Sequence, residues 1–219
     1  MKTGATALRI LVLVAWSPAF GDHLPPVTPV LPGQDHRHEN HAGADFSGAD
    51  LRDVNFSGAN LALALFEDAL LDRVKFGGAT LNQALLRTQL HDADFSGASL
   101  VNAQLQGMQG TGVTFMNADL SGAVLDDAFF YFTDFRNVNF AGADLGEFTA
   151  ENSDFRGADL SAATNIDTLF SGSIYDSTTR FPPGYDAQGA GMSFVPEPAT
   201  TGVFLLGLVY PGWCRRRSR

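Results

Sequence analysis

A five-residue repeat runs through the chain from residue 44 to residue 177, and it limits the fold more than any other feature of the sequence. Its blocks read ADFSG, ADLRD and VNFSG near the start, and ADLSG, VNFAG and SDFRG further on. Each block has a small residue, usually a polar one, then Phe or Leu, then two mostly polar or small residues. A period of five matches neither the roughly 3.6 residues per turn of an α-helix nor the two-residue alternation of a β-strand. The repeat therefore predicts a solenoid.

The central residues of the blocks sort by type when every fourth block is compared, which predicts four sides per coil. One column is aromatic throughout and consists of Phe56, Phe76, Phe95, Phe115, Phe135, Phe155 and Tyr175. The next column is almost all leucine and consists of Leu61, Leu81, Leu100, Leu120, Phe140 and Leu160. The spacing is 20 residues except at one point after Leu86, where one residue is missing. We expect each aromatic side chain to pack on its equivalent one coil away.

A third column indicates a close-packed interior, because large and small residues exchange places in it. It consists of Leu51, Leu71, Leu90, Gly110, Phe130, Ala150 and Phe170. Beside Gly110 and Ala150, the normally small position two residues earlier holds Met108 and Phe148. This exchange conserves volume, so both positions are predicted to point inward.

The sustained repeat resembles the pentapeptide-repeat family, whose members fold into a right-handed four-sided β-helix. The resemblance implies an all-β, right-handed quadrilateral β-helix of about six to seven coils over residues 44–177. Residues 22–43 are predicted to form a Pro/His-rich linker or N-terminal arm. Residues 178–194 interrupt the repeat with prolines and are predicted to cap the last coil, which otherwise leaves an unpaired edge.

The two ends of the chain carry features of an exported protein. Residues 1–21 place Lys2 and Arg9 before a short apolar run that ends in small residues, which predicts a signal peptide. Residues 195–219 contain a proline-glutamate-proline motif, an apolar stretch and a basic cluster. The motif and the cluster consist of Pro196, Glu197, Pro198, Arg215, Arg216 and Arg217.

This tail resembles the PEP-CTERM sorting signal. The resemblance implies an exosortase as the partner during sorting, a transient inner-membrane intermediate, and a final place at the cell surface or outside the cell. The apolar stretch, residues 199–213, is short for a bilayer, which needs about 20 residues. A membrane anchor that is kept rather than cleaved is the alternative.

Charge limits the classes of partner. The full chain carries a formal charge of −10. Loss of the six basic residues at the two ends (Lys2, Arg9 and the four C-terminal arginines), with Glu197 kept, leaves 24 acidic and 8 basic residues, or −16. A protein this acidic repels nucleic acid and anionic membranes.

The sequence predicts neither an enzyme nor a cofactor. Four of the five histidines precede the repeats, where no scaffold holds a nucleophile and base in register. No phosphate-binding loop, dinucleotide fingerprint or CxxC motif is present. His36, His38 and His41 are candidate ligands for a divalent transition metal, although a solvated linker explains them more simply.

The outward position before each central residue predicts a contact surface. On two neighbouring sides this position is often apolar, whereas the other two sides carry carboxylates. The apolar residues are Leu65, Leu70, Leu85, Val124, Phe129 and Leu169. An exposed apolar strip indicates self-association or an envelope or matrix partner. Coverage by the arm 22–43 and simple degeneration of the repeats are the alternatives.

The carboxylates on the other two sides raise the question of a cation. Asp134 and Asp154 are predicted to lie one coil apart, about 5 Å from each other. A calcium ion relieves such repulsion, but carboxylates in water repel each other only weakly. The sequence leaves both interpretations open.

Two classes of function follow. The first is a non-enzymatic structural or interaction protein of the envelope or of an extracellular exopolysaccharide or biofilm matrix, which the two sorting signals favour. The alternative is an acidic DNA mimic that binds a topoisomerase, as in the quinolone-resistance pentapeptide proteins. Export disfavours the second class, since gyrase is cytoplasmic.

Overall fold

The computed structural model describes residues 31–166 and 169–196, and their backbone winds into a right-handed β-helix. Parallel bridges join residues about one coil apart, from Asp35 with Asn55 at one end to Asp159 with Arg180 near the other. The described ranges contain strands and bridges but no helix. The predicted fold class is therefore confirmed.

Each coil has four short faces, which we number I to IV by their central residues. Face I carries the aromatic column and starts at His36, face II carries the leucine column and starts at His41, and face III starts at Phe46. Face IV carries the first central residue of each coil. These residues are Leu31, Leu51, Leu71, Leu90, Gly110, Phe130, Ala150 and Phe170. The described part of the chain therefore has eight coils.

The prediction of a linker through residue 43 differs from the structure. Asp35 and Asn40 pair with Asn55 and Asn60 of the next coil, so residues 31–43 already belong to the β-helix. This explains why there are more coils than the six to seven expected. The difference arises because two histidines stand where later coils carry Phe or Leu.

The regular strands lie mainly on face IV. They are β1 (Gln89–His91), β2 (Gln109–Thr111), β3 (Phe129–Tyr131), β4 (Thr149–Glu151), β5 (Ile174–Tyr175) and β6 (Ser193–Phe194). Strands β1 to β4 form one parallel sheet in chain order, and β5 pairs with β6. Gln89 lies opposite Gln109, which lies opposite Phe129, so equivalent outward side chains form rows along the solenoid.

The missing residue after Leu86 shortens one coil without breaking the pairing. Lys75 pairs with Asp94 at a spacing of 19 residues, and Gln89 pairs with Gln109 at a spacing of 20. The Thr88 hydroxyl at this point donates a 2.6 Å hydrogen bond to the Ala69 carbonyl. The side chain thus holds the shortened corner to the preceding coil.

Tight turns at the corners need left-handed backbone, which explains the Gly, Asn and Asp residues of the repeat. Gly58 has a φ of 68° and Asn102 a φ of 57°. Gly58 N–H donates to the Gly77 carbonyl of the next coil at 2.9 Å. Gly tolerates this conformation at no steric cost, and Asn and Asp tolerate it better than other side chains.

The aromatic column forms the stack that its spacing predicts over most of its length. From Phe56 to Phe155, neighbouring ring centroids lie 4.8–5.6 Å apart with interplanar angles of at most 28°. Tyr175, in contrast, contacts Phe181 and Phe194 edge-on at 5.4 and 5.5 Å. The stack therefore ends in a different packing where the last coil is closed.

The exchanged large and small residues point inward. Met108, Phe148 and Ala150 are fully buried. A methyl group built on Gly110 lies only 2.6 Å from a ring carbon of Phe130, so the ring of the next coil occupies the space that Gly110 leaves. Volume is thus conserved between coils as well as within one.

A row of buried hydroxyls joins the last coils from inside. Thr133, Ser153 and Ser173 occupy positions that hold valine or alanine in coils two to five, and all three are at most 2% exposed. Thr133 N–H donates to Ser153 Oγ at 3.0 Å, and Ser153 N–H donates to Ser173 Oγ at 3.0 Å. The Ser173 hydroxyl in turn donates to the Ala150 carbonyl at 2.9 Å. These hydroxyls are therefore satisfied in an otherwise apolar interior.

The C-terminal segment packs against the last coil. Met192 and Ala187 are buried, and Phe181 stacks on Tyr185 at 5.4 Å. Tyr185 also meets Phe170 edge-on at 6.4 Å. The apolar end of the core is thereby covered on this side.

Candidate interaction surface

The outward apolar residues lie on faces III and IV. Leu65 and Leu85 pair directly, one coil apart on face III, and Leu65 is 38% exposed. Leu70 and Phe129 on face IV are 49% and 39% exposed. Leu85 and Val124 are half-buried. We call the set Leu65, Leu70, Leu85, Val124 and Phe129 the apolar strip.

Polar but uncharged side chains fill the gaps in this strip. Gln104 lies between Leu85 and Val124 on face III, and Gln89 and Gln109 lie between Leu70 and Phe129 on face IV. A shallow groove beside Leu70 is lined by Thr88, Gln89 and Gln109, and also by the charged residues Asp68 and Arg87 at its corner. The surface thus combines apolar side chains with amide groups and carries no carboxylate at these outward positions.

Face I has the opposite character, because three of its four outward aspartates, Asp35, Asp134 and Asp154, are paired with arginines. Arg136 donates to Asp134 at 2.6 Å, and Arg156 donates to Asp154 at 2.6 Å. Arg136 also lies 3.8 Å from the Asp154 carboxylate of the next coil. Arg136 thus lies close to both stacked carboxylates and supplies positive charge where a calcium ion was considered.

The pairing changes how these carboxylates titrate. Burial alone raises the pKa of Asp134, but the hydrogen bonds and charge of Arg136 outweigh burial and hold the pKa below its ordinary value of 3.8. Hydrogen bonds from Arg52 likewise lower the pKa of Asp50. The ionised forms are therefore favoured by the fold.

This predicts a loss of stability in acid. A carboxyl whose folded pKa is lowered stabilises the fold above 3.8, and this contribution disappears as the pH falls through the folded pKa. We expect the melting temperature, followed by circular dichroism, to fall between about pH 5 and about pH 2. In Arg136→Gln the loss should begin at a higher pH, because burial then dominates at Asp134. An acid profile identical to that of the wild type would contradict the role given to Arg136.

The structure brings two of the three candidate metal ligands together. His36 Nδ1 and His41 Nε2 lie 2.9 and 3.1 Å from the same oxygen of Glu39. Burial and the neighbouring His36 lower the pKa of His41, and the hydrogen bond from His36 lowers the pKa of Glu39. His38 instead lies over Gly58, away from this group.

The predicted sorting tail lies almost entirely beyond the described residues. Pro196 follows β6 directly, whereas Glu197, Pro198 and residues 199–219 lie outside the described ranges, as do residues 1–30. Within the parts of the chain that the structure describes, no helix has the length and apolar character needed to span a bilayer.

The family model for pentapeptide repeats matches this chain in eight copies, over residues 40–68, 49–87, 88–127, 115–149 and 133–172. The chain belongs to the pentapeptide-repeat family. Proteins of this family are typically structural or interaction proteins rather than enzymes. A sequence comparison with curated proteins finds no match.

Several solved pentapeptide-repeat structures resemble this β-helix. A trypsin-treated form of QnrB1, a plasmid-mediated fluoroquinolone resistance protein, is 20% identical over 74% of this chain and 83% of its own, with a TM-score of 0.49. HetL, involved in heterocyst differentiation regulation in Nostoc sp. strain PCC 7120, is 19% identical over 70% and 85%, with a TM-score of 0.29. Alr5209 from Nostoc PCC 7120 is 30% identical over 47% and 84%, with a TM-score of 0.33. These likenesses carry no information about what this chain binds.

Two features of the pentapeptide-repeat surface escaped the sequence reasoning. Tyr131 and Phe132 follow Phe129 and form a ring pair with centroids 4.2 Å apart, and Phe132 is 58% exposed at a corner with a φ of 53°. The run of four aromatic residues from 129 to 132 could have indicated them. A five-residue block has room for one inward ring, so the other rings must lie at the surface. Glu39, the acidic member of the histidine group, was the other residue missed.

Proposed function

We propose that this pentapeptide-repeat protein is an exported, exosortase-sorted and non-enzymatic interaction module of the cell envelope or extracellular matrix. Its contact surface is the apolar strip on faces III and IV, and the occupant is a second copy of the chain. The single observation that carries the proposal is the exposure of large apolar side chains on these two faces of an otherwise acidic rod.

Exposed apolar side chains of this kind favour contact with a partner protein over contact with water. Single apolar residues are common on protein surfaces, but aligned ones in a row are typical of a partner site. Leu65, Leu70 and Phe129 are each more than a third exposed, and the exposed Phe132 with the half-buried Tyr131 beside it extends the strip at one corner. Aromatic residues contribute strongly to such contacts.

Charge supports a second copy as the occupant. The chain carries −10, so two copies repel each other unless they meet through an uncharged surface. The outward positions in the middle coils of faces III and IV supply one. These positions hold Leu65, Leu70, Leu85, Gln89, Gln104, Gln109, Val124 and Phe129. Two rods with the same coil spacing also present matching ridges to each other, as a symmetric dimer requires.

The position of the sorting motif is compatible with processing. The last paired strand, β6, ends at Phe194, and Pro196 follows two residues later. Cleavage near Pro196 therefore removes none of the eight coils and leaves the capping segment in place. The signal-like residues 1–21 likewise precede the first described coil.

The pairing of surface aspartates with arginines disfavours the DNA-mimic alternative. Such a mimic needs a continuous array of unpaired negative charge to imitate phosphates. In the described ranges, six arginines pair with aspartates, which interrupts that array. They are Arg37, Arg52, Arg73, Arg136, Arg156 and Arg180.

The test is the mass of the protein in solution. We expect the wild-type chain to be a dimer by light scattering, and more so at higher salt, which screens the repulsion between acidic rods. The triple variant Leu65→Ser, Leu70→Ser and Leu85→Ser should be monomeric with an unchanged circular dichroism spectrum. A control with Asn60→Ser and Thr80→Ser on face II should remain dimeric. A wild-type monomer, or a dimer that survives the triple variant, would exclude self-association through this strip.

A further inference from the structure

The first described coil places two imidazoles where the core of every later coil is apolar. His36 and His41 stand directly above Phe56 and Leu61, and their side chains are 10% and 13% exposed. Both imidazole rings lie 5.6 Å from the ring of Phe56. Buried polar groups are costly unless their polar atoms are satisfied, so the partners of these nitrogens determine what the pair can do.

A carboxylate reaches the pair from an inward position. Glu39 occupies the place two residues before a central residue, where the next coil has Ala59. One nitrogen of His36, one nitrogen of His41 and a carboxylate oxygen of Glu39 all lie within 4.8 Å of one another. Three ligand atoms of these types at these separations match a site with two histidines and one glutamate.

The far side of His36 carries a further partner. Its Nε2 lies 3.2 Å from Gln34 Oε1, which also accepts the Leu31 N–H at 2.9 Å. An outer oxygen that accepts the second ring N–H is the usual companion of a metal-bound imidazole, because it fixes the tautomer and the ring plane. When His36 donates its Nε2 hydrogen to Gln34, a metal ion takes the place of the Nδ1 hydrogen that otherwise bridges His36 and Glu39.

We propose that His36 Nδ1, His41 Nε2 and Glu39 bind one divalent transition metal ion, with Zn²⁺ as the best match. Two nitrogens and one oxygen suit Zn²⁺, and a fourth position remains for water because Glu39 is half exposed. The ion joins residues 36, 39 and 41 within the first coil and closes the apolar core at its N-terminal end. It stabilises the β-helix independently of the apolar strip.

The test is calorimetric titration of Zn²⁺ into the metal-free full-length chain without an affinity tag. We expect one ion per chain. His36→Phe and His41→Leu should each weaken binding at least about 10-fold, and they should fold well because they extend the phenylalanine and leucine columns. Glu39→Gln should also weaken binding, and Gln34→Ala should weaken it about 10-fold through loss of the outer hydrogen bond. His38→Ala is the matched control and should bind as the wild type does.

Bound Zn²⁺ should also raise the melting temperature of the wild type and of His38→Ala but not that of His36→Phe. Absence of binding would overturn the proposal. Binding that persists in His36→Phe and His41→Leu, or that is lost equally in His38→Ala, would also overturn it, since such binding belongs to a histidine-rich segment without defined geometry.

Discussion

Replacing Phe115 with alanine is expected to lower the free energy of unfolding by about 3–5 kcal/mol. Phe115 is fully buried and stacks between Phe95 and Phe135, with ring centroids 4.9 and 5.4 Å away. It also meets Phe130 edge-on at 5.6 Å. The substitution removes the apolar area of the ring and leaves a cavity in the middle of the stack. Each coil contacts only its neighbours, so the cavity weakens two coil interfaces at once.

Urea unfolding followed by circular dichroism measures this effect. Phe115→Leu, which keeps most of the volume, should cost less than about 1.5 kcal/mol. Phe132→Ala is the exposed control and should change stability by no more than about 0.5 kcal/mol. A cost below about 1 kcal/mol for Phe115→Ala would mean that the aromatic column is not a stacked core.

Replacing Gly110 with alanine is expected to destabilise the protein by about 1–3 kcal/mol. The added methyl group would lie 2.6 and 2.7 Å from two ring carbons of Phe130 and 3.0 Å from Val113. The ring has little freedom to move, because Phe115, Phe135 and Phe148 surround it. The sign of the change in stability is informative, because glycine-to-alanine changes at sites that accommodate a methyl group stabilise a protein by about 0.4–1 kcal/mol.

Gly77 is the matched control for this substitution. An added methyl group there meets nothing closer than Asp94 Oδ2 at 3.6 Å, so Gly77→Ala should be neutral or slightly stabilising. Combining Gly110→Ala with Phe130→Leu should cost less than the sum of the two single changes, because the smaller side chain makes room for the methyl group. If Gly110→Ala proves as harmless as Gly77→Ala, the packing assigned to this glycine is incorrect.

The repeated part of the fold could be predicted from the sequence because each block places the same types of residue at its inward positions. Aromatic residues recur at 20-residue intervals from Phe56 onwards, and inward packing of Met108 and Phe148 follows from their exchange with Gly110 and Ala150. Such evidence needs repetition. It is weakest where coils end: the first coil was assigned to a linker, and Tyr175 does not continue the stack that was predicted for it.

His36 and His41 show why the N-terminal boundary was missed. They stand 20 residues before Phe56 and Leu61, so their spacing fits the columns, but their side chains do not. An imidazole is tolerated at a central position of the first described coil because, among the residues that the structure describes, no core packs against one side of that coil. Because the prediction relied on residue type, it assigned these two histidines to a linker.

The contacts between surface side chains could not be predicted from the sequence for a different reason. Asp134 and Asp154 were expected to repel each other, and the arginine two residues after each was not connected with them. Pairing depends on the corner turning the side chain back towards its own face, which the structure provides for Arg136 and Arg156. The outward direction of Leu65 and Leu70 followed from the repeat, whereas the contact between Tyr131 and the exposed Phe132 depends on corner geometry.

The most direct test of the proposed function is the intact mass of the protein purified from envelope, medium and cytoplasm of its native cells. We predict a single species in envelope or medium that lacks residues 1–21 and the tail after the Pro196 region, and that retains every coil from residue 31 onwards. A full-length chain found in the cytoplasm would contradict export and sorting. In that case binding to a topoisomerase would become the function to test for this acidic β-helix.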